Sequence, residues 1–198
     1  MIEQTSRHLD EAEIVRGLRN GDAVAWDALC DRFGKRIWAF LVRLVGGEES
    51  VVCDLFQDTF LAASKSGLNL DAEGTRLWNW LARIAHNLAA EHWRRVYRDR
   101  RYLDSTASAD ATAEPTGFGD PVELMFRAET NDAVRSVLAE MSADHVSVLL
   151  AKYVDGQSVA TIVDELGGTT EAVRSRLARA RRDFKSRFEL LNSQDEVV

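Results

Sequence analysis

The sequence contains few of the residues that indicate a membrane protein, a secreted disulfide-bonded protein or a loop-rich protein. Its 198 residues include only two prolines and two cysteines. No apolar run approaches the roughly 20 residues that a membrane-spanning helix needs, and the polar N-terminus does not resemble a signal peptide. No stretch alternates apolar and polar residues as half-buried strands do. We therefore expect a cytoplasmic protein without a membrane span.

The residues that bind metals or perform catalysis are also scarce and scattered. Cys30 and Cys53 fall within apolar helical stretches without metal-ligand spacing, so we expect buried free thiols in a reducing compartment. The four histidines are His8, His86, His92 and His145. They show no metal-binding spacing, and the sequence has no glycine-rich phosphate loop or nucleophile motif. We therefore expect no metal, no cofactor, no catalytic residue and no enzymatic activity.

Apolar residues recur at helical periods throughout the chain, which predicts an all-α fold. A short amphipathic helix is predicted from Asp10 to Arg19, and Asp22, Ser50 and Ser142 each precede a further such pattern as predicted N-caps. A fifth helix is predicted from Thr75 to about residue 101. Residues 66–74 are predicted to form a loop, and the polar tail after residue 191 is predicted to be disordered. The net charge of −7 argues against indiscriminate coating of nucleic acid, but the cations fall into two clusters.

The first cluster lies in residues 158–187, which read as two helices joined by a tight turn. Gly167-Gly168 ends the first helix, and Thr169 or Thr170 caps the second. Its cations are Arg174, Arg176, Arg179, Arg181, Arg182, Lys185 and Arg187. A helix-turn-helix with so basic a second helix suits the DNA major groove. The alternative is a solvated basic face on an ordinary helical hairpin.

The second cluster lies at the end of the predicted helix 75–101, where arginines alternate with aromatic residues. Its residues are Trp93, Arg94, Arg95, Tyr97, Arg98, Arg100, Arg101 and Tyr102. Arginines beside aromatics suit single-stranded nucleic acid, although cations at a helix C-terminus also interact favourably with its dipole. Trp78, Trp80 and Trp93 are more simply explained as core residues. Asp54, Gln57 and Asp58 form a polar face on an earlier helix, which by itself indicates only solvation.

The chain divides into two predicted domains, 10–102 and 122–191. Between them, residues 103–121 contain both prolines, small and acidic residues, and no apolar period. This composition predicts a flexible linker that separates two bodies which dock apart. The second domain is predicted to begin with one or two helices, followed by a helix with Val146, Leu149, Leu150 and Tyr153 inside.

Three stretches, in this order, resemble the extracytoplasmic-function (ECF) sigma factors, the group IV sigma factors of the bacterial sigma-70 family. They are DLFQDTFLAA, WNWLARIAHNLAAEHWRR and YVDGQSVATIVDELGGTTEAVRSRLARAR. The resemblance covers about residues 10–191 and implies sigma region 2, a linker, and a region 4 helix-turn-helix. Gly168 and Ala178 differ from the residues usual at these positions in the family. These differences bear on which promoter sequence is recognised more than on the implied function.

The resemblance implies a role for particular residues. Asp54, Leu55, Gln57 and Asp58 match the segment that docks on the β′ clamp helices of core RNA polymerase. Asn87, Arg94, Arg95 and Arg98 match the part that captures the −10 element, with Asn87 holding a flipped base and the arginines contacting phosphates. Arg174, Ser175 and Arg179 match the −35 contacts. An arginine can bind both O6 and N7 of guanine.

The implied partners are core RNA polymerase, through its β′ clamp helices and β flap, promoter DNA, and an anti-sigma factor. The implied function is that of a dissociable subunit that directs polymerase to specific promoters and promotes melting. The alternative is a stand-alone helix-turn-helix regulator, which would bind DNA tightly and symmetrically without polymerase.

Overall fold

A computed structural model of the chain describes residues 9–66, 76–106 and 121–195. All regular secondary structure in these ranges is helical, which confirms the all-α prediction. The helices are α1 (Glu11–Arg19), α2 (Ala23–Val45), α3 (Glu49–Ser66), α4 (Leu77–Thr106), α5 (Pro121–Glu140), α6 (Ala143–Leu149), α7 (Val159–Leu166) and α8 (Thr170–Asp195). None of the helices in the described ranges combines the length and apolarity needed to cross a bilayer.

Helices α1–α4 form the N-terminal domain, and aspartate side chains cap its first two helices, of which the Asp22 cap was predicted. The Asp10 carboxylate accepts from the backbone N–H of Glu13, whose side chain in turn accepts from the Asp10 N–H. The Asp22 carboxylate accepts from the backbone N–H of Val24 and so caps α2, and Gly46 ends α2 at a φ of 92°. The predicted stripe of α2 is buried from Ala25 to Leu44. Both ends of α2 were therefore predicted from the sequence to within one residue.

The prediction that Ser50 caps α3 is wrong. The helix begins at Glu49, and the Ser50 hydroxyl donates to the Glu48 carboxylate at 3.0 Å instead of accepting a backbone N–H. Thr75 and the rest of the predicted loop, residues 67–75, lie outside the described residues, whereas Ser66 is the last residue of α3. α4 runs to Thr106, four residues into the predicted linker, and α5 begins at Pro121. The intervening residues 107–120 are outside the described residues.

Helices α5–α8 form the C-terminal domain, in which one π-helical turn alters the predicted packing. Ser142 caps α6 as predicted, and Val146, Leu149 and Leu150 are buried. A π-helical turn then covers Leu150–Val154. Because a π turn contains more residues than an α turn, it changes the direction of the side chains that follow. Tyr153, predicted to lie inside, is therefore 58% exposed.

The helix-turn-helix consists of α7 and α8. Ser158 caps α7, Gly167 ends it at a φ of 81°, and the Thr169 hydroxyl accepts from the Ala172 N–H at 3.1 Å. Thr169 is thus the cap among the two threonines considered. α8 continues through Asp195, so the prediction of disorder directly after residue 191 is wrong. Phe184 and Phe188 stack along it with ring centroids 5.8 Å apart.

The two domains lie against each other and share one cluster of buried apolar side chains. α4 and α2 contact α5, and α4 also contacts α6 and α7. The expectation that the domains dock apart therefore does not describe this state of the chain. The thiol prediction is also wrong, because Cys30 is exposed and Cys53 is only half-buried. Cys30 directly follows the buried Leu29, and one helical step turns a side chain by about 100° away from the stripe.

Candidate nucleic-acid and protein interfaces

The predicted −35 residues lie on the exposed side of α8. Arg174, Ser175 and Arg179 are all exposed. Val173, Leu177 and Ala180 on the opposite side of the helix are at most 7% exposed and join the core. α8 is therefore anchored by its apolar stripe, and its N-terminal half presents two guanidinium groups and a hydroxyl to solvent. This is a surface that can contact base edges and phosphates in a major groove.

Not every cation of α8 belongs to that surface. Arg187 Nε donates to Asp183 Oδ1 at 2.7 Å, and its Nη1 lies 3.4 Å from the Glu140 carboxylate. His145 Nδ1 lies 3.0 Å from the other oxygen of Asp183. Burial by itself would raise the pKa of Asp183, but the hydrogen bonds with His145 and Arg187 outweigh it and lower this pKa. Arg187 therefore ties α8 to α5, and Asp183 ties α8 to α6, within the C-terminal domain.

The predicted −10 residues lie along the exposed side of α4. Asn87, Arg94, Arg95 and Arg98 are all exposed. At about 100° per residue, Asn87, Arg94 and Arg98 fall within about 40° of one another and span roughly 16 Å of helix. Arg95 lies beside this row. The structure thus brings the four together into one strip with an amide at one end and guanidinium groups at the other.

The opposite side of α4 fixes this strip in place. Trp78 and Trp93 are 7% and 5% exposed, which confirms that they are core residues, and Trp80 is half-buried. Trp93 Nε1 donates to the Leu44 carbonyl at 2.9 Å. His86, next to Asn87, is 3% exposed, and its Nε2 lies 3.0 Å from the Leu138 carbonyl. Burial lowers the pKa of His86, so the ring is held neutral and acts as a donor to that carbonyl.

The predicted polymerase-binding residues lie on α3. Asp54, Gln57 and Asp58 are exposed, whereas Leu55 is 4% exposed and packs in the core. Phe56 and Phe60 pack on the same side of the domain, and Phe56 makes an edge contact with Trp38 at 5.7 Å. Leu55 therefore holds the helix, and the three polar residues form its outer surface.

Two residues that the sequence analysis did not consider belong to these surfaces. Leu61 is 54% exposed and lies three residues after Asp58, on the same face of α3. Arg83 is exposed and lies four residues before Asn87, in line with the −10 strip. The helical spacing of three and four residues from Asp58 and Asn87 is the sequence signal that could have identified both.

The three surfaces remain separate, since each lies on its own helix. Among the described residues, no group of three or more His, Cys, Asp or Glu side chains is placed to hold a metal ion. What the geometry offers is one acidic and apolar surface on α3 and two arginine-rich surfaces on α4 and α8. Such surfaces can bind macromolecules through ion pairs, hydrogen bonds and apolar contacts.

Family models match both domains. Residues 29–109 match sigma-70 region 2, and residues 131–184 match sigma-70 region 4. The sequence is 31% identical over 179 residues to RNA polymerase sigma factor NccH of Alcaligenes xylosoxydans xylosoxydans, covering 89% of this chain and 93% of the relative. It is 24% identical over 168 residues to the ECF RNA polymerase sigma factor BldN of Streptomyces coelicolor. That match covers 85% of this chain and 62% of BldN.

A solved structure of CnrH in complex with the cytosolic domain of CnrY matches with a TM-score of 0.47 and 23% identity. The match covers 92% of this chain and 97% of CnrH. Region 2 corresponds to the domain that carries the α3 and α4 surfaces, and region 4 corresponds to the domain that carries the α8 surface. The chain therefore belongs to the sigma-70 family, among the ECF RNA polymerase sigma factors.

Proposed function

We propose that the protein is the promoter-recognition subunit of a bacterial RNA polymerase. It binds the core enzyme, directs it to specific promoters and promotes strand separation at the start of transcription. The observation that carries the proposal is that two arginine-rich helices, one per sigma region, stand beside a separate acidic surface on α3. Such a protein makes no covalent bond itself, and it works in the cytoplasm with polymerase and DNA.

On α3, Asp54, Gln57 and Asp58 form the polymerase-docking surface, and Leu61 adds an apolar contact at its C-terminal end. The carboxylates pair with cations on the β′ clamp helices. An exposed leucine surrounded by polar groups matches the pattern of a small interface core with a polar rim. Leu55 takes part only by fixing the helix to the domain core. The β flap is the expected partner of the C-terminal domain.

On α4, Asn87 pairs with the edge of a base extruded from the −10 element. Extrusion costs a few kcal/mol of stacking, which is repaid by pairing and by contacts to the backbone. Arg94, Arg95 and Arg98 bind the phosphates that follow. These contacts supply affinity and salt dependence, while the amide supplies sequence choice.

On α8, Arg174, Ser175 and Arg179 contact the −35 element in the major groove. A bidentate arginine–guanine contact discriminates by about 1–3 kcal/mol against other bases. Like many sigma factors of this group, the protein is expected to be kept inactive by an anti-sigma factor that binds both domains.

A run-off assay with purified core RNA polymerase tests the function. We expect transcripts that start at discrete sites and require both the protein and core enzyme. The stand-alone regulator is less favoured, because both sigma regions match this chain in order. It would instead predict tight, two-fold symmetric DNA binding by the protein alone and transcripts that do not depend on it.

A further inference from the structure

Glu171 lies in the first turn of α8, on the side of the helix that faces away from the protein. It is the second residue of α8, and its side chain is exposed. At about 100° per residue, Glu171 lies roughly opposite the buried stripe of Val173, Leu177 and Ala180. The predicted −35 contacts do not include it. In a helix-turn-helix, the N-terminal residues of the second helix are the ones that contact base edges in the major groove.

Glu171 belongs to the outermost strip of α8, whose members fall within about 60° of one another around the helix axis. The strip consists of Glu171, Ser175, Ala178 and Arg182. Arg174 and Arg179 flank it on either side. Ala178 carries no polar group, so it cannot form a hydrogen bond with a base. Within the N-terminal half of the strip, hydrogen bonding to base edges therefore falls to Glu171 and Ser175.

The Glu171 carboxylate is available for a contact with DNA. Arg174 follows it at the three-residue spacing of a helical ion pair. In the part of the chain that the structure describes, however, no ion pair or side-chain hydrogen bond involves Glu171. Both carboxylate oxygens thus keep their capacity to accept hydrogen bonds.

A carboxylate in the major groove can distinguish bases because it only accepts hydrogen bonds. Cytosine presents a donor there, its N4 amino group, whereas guanine presents the acceptors N7 and O6 and thymine presents the acceptor O4. Adenine places its N6 donor beside the N7 acceptor, which suits an amide better than a carboxylate. Opposite guanine or thymine, Glu171 would face like partial charges without a hydrogen bond. Such a contact disfavours the wrong base as well as binding the right one.

We propose that Glu171 is a specificity-determining residue that selects a cytosine in the −35 element. The inference rests on the proposed function of the α8 surface and adds one base to what that surface reads. Glu171 precedes Arg179 by eight residues, or about 12 Å along the helix. Successive bases of one strand are about 3.4 Å apart, so the selected cytosine lies within about four base pairs of the base that Arg179 contacts.

The test compares two substitutions of Glu171 with a matched control on the same helix. Glu171→Gln keeps the shape of the side chain, and its amide can pair with N6 and N7 of adenine. Glu171→Ala removes both the attraction to cytosine and the repulsion from guanine and thymine. Glu189→Gln is the control, because Glu189 is an exposed glutamate that lies 3.7 Å from Lys185 and about 27 Å further along α8. Circular dichroism checks that all variants keep the wild-type helix content.

The first readout is run-off transcription with core RNA polymerase and full-length protein, on templates randomised across the upstream element. We expect the wild type to favour cytosine over guanine and thymine about 10-fold or more at one position. Glu171→Gln should move the preference at that position towards adenine. Glu171→Ala should abolish it and yield more transcript than the wild type from guanine and thymine templates. The preferences at other positions, and all those of Glu189→Gln, should match the wild type.

Two results of this assay would overturn the inference. One is an unchanged base preference in both Glu171 variants. The other is an equal loss of transcript on every template, which would show that Glu171 only stabilises the start of α8 through the helix dipole.

The second readout separates this inference from the proposed function. Full-length wild type and variants are used, without polymerase and at low ionic strength, to select from short randomised duplexes. We expect the same cytosine preference in the wild type and its loss in Glu171→Ala. If the wild type supports no transcription, the proposed function fails, and this selection still decides the role of Glu171. Selected duplexes in which no position responds to Glu171 would overturn the inference whether or not transcription is seen.

Discussion

At the scale of single residues, substitutions on α8 can distinguish a side chain that would contact a base from one that would contact a phosphate. Arg179 is exposed and has no ion-pair partner among the described residues. We predict that Arg179→Ala weakens use of promoters with one −35 sequence about 10-fold or more, because a bidentate base contact contributes about 1–3 kcal/mol of discrimination. Run-off transcription on a −35 library measures this. Arg181→Ala, an exposed neighbour, is the control, and a uniform loss across all sequences would make Arg179 a phosphate contact.

The amide of Asn87 provides the corresponding prediction on α4. We expect Asn87→Ala to change the preferred base of the −10 element while binding to core polymerase stays within about twofold, since α3 is unaffected. Selection from a −10 library and a core-binding titration measure the two effects. Asn79→Ala serves as the control, because Asn79 is on the same helix but bonds the Leu166 carbonyl instead. Loss of core binding in Asn87→Ala would place Asn87 in a structural role.

His86, which links α4 to α5 through the Leu138 carbonyl, should make the stability of the fold depend on pH. Burial lowers its pKa, and the same is true of His92, where Arg95 adds to the effect. The unfolded chain therefore takes up protons below about pH 6.5 that the folded chain resists, so stability falls as the pH drops below that value. We predict a lower melting temperature at pH 5.5 than at pH 7.5. The drop should be smaller in His86→Gln, whose amide can still donate to Leu138, and an unchanged drop would contradict this assignment.

At the scale of elements, α3 should fail as a docking surface when its charge is reversed. We predict that Asp54→Arg/Asp58→Arg weakens the association with core polymerase at least about 10-fold, equivalent to about 1.4 kcal/mol. Asp27→Arg/Asp31→Arg is the matched control, because it reverses two exposed carboxylates at the same spacing on α2. Fluorescence anisotropy with labelled protein measures both. Equal losses in the two variants would indicate a general effect of net charge.

The end of α7 depends on Gly167 for two reasons. Its φ of 81° and ψ of 173° are almost restricted to glycine, and an added Cβ would lie 2.7 Å from Arg76 Nε. We predict that Gly167→Ala lowers stability by about 1–3 kcal/mol. Gly168→Ala, with a φ of 95° but only an ordinary contact to Ala172, should cost less. Thermal unfolding of both glycine variants, in the wild-type and Arg76→Ala backgrounds, measures how much of the loss comes from the collision of the added Cβ with Arg76. Equal losses of stability in Gly167→Ala and Gly168→Ala would show that this collision does not contribute.

Local signals in the sequence predicted most elements, because caps and apolar periods act over a few residues. Asp22 and Ser142 cap the helices that follow them, as predicted, and Asp10 and Ser158, which were not predicted as caps, do the same. The predicted Ser50 cap is wrong because its hydroxyl donates to the Glu48 carboxylate, two residues earlier in the chain. The prediction that Tyr153 is buried is wrong because the spacing of apolar residues does not reveal a π-helical turn. The residues predicted for the three surfaces are exposed, apart from Leu55, whose side chain is buried, whereas Leu61 and Arg83 were not predicted.

At the scale of the whole molecule, the sequence did not predict how the domains pack. The contacts that join them, such as Arg36 with Glu165 and Arg43 with Asp155, connect residues more than 100 positions apart. No local period encodes such pairs. The acidic composition of residues 103–121 predicted separation, but a tether permits contact as readily as distance. The composition of this segment therefore does not determine whether the two domains pack together.

The central claim is that two arginine-rich surfaces, on α4 and α8, contact two separate elements of one promoter when core polymerase is present. Footprinting of the reconstituted complex on a promoter identified by run-off tests this most directly. We predict two protected blocks with centres about 25 base pairs apart, of which Arg179→Ala weakens the upstream one and Asn87→Ala the downstream one. A single protected block, or equal protection by the protein without core polymerase, would contradict the account.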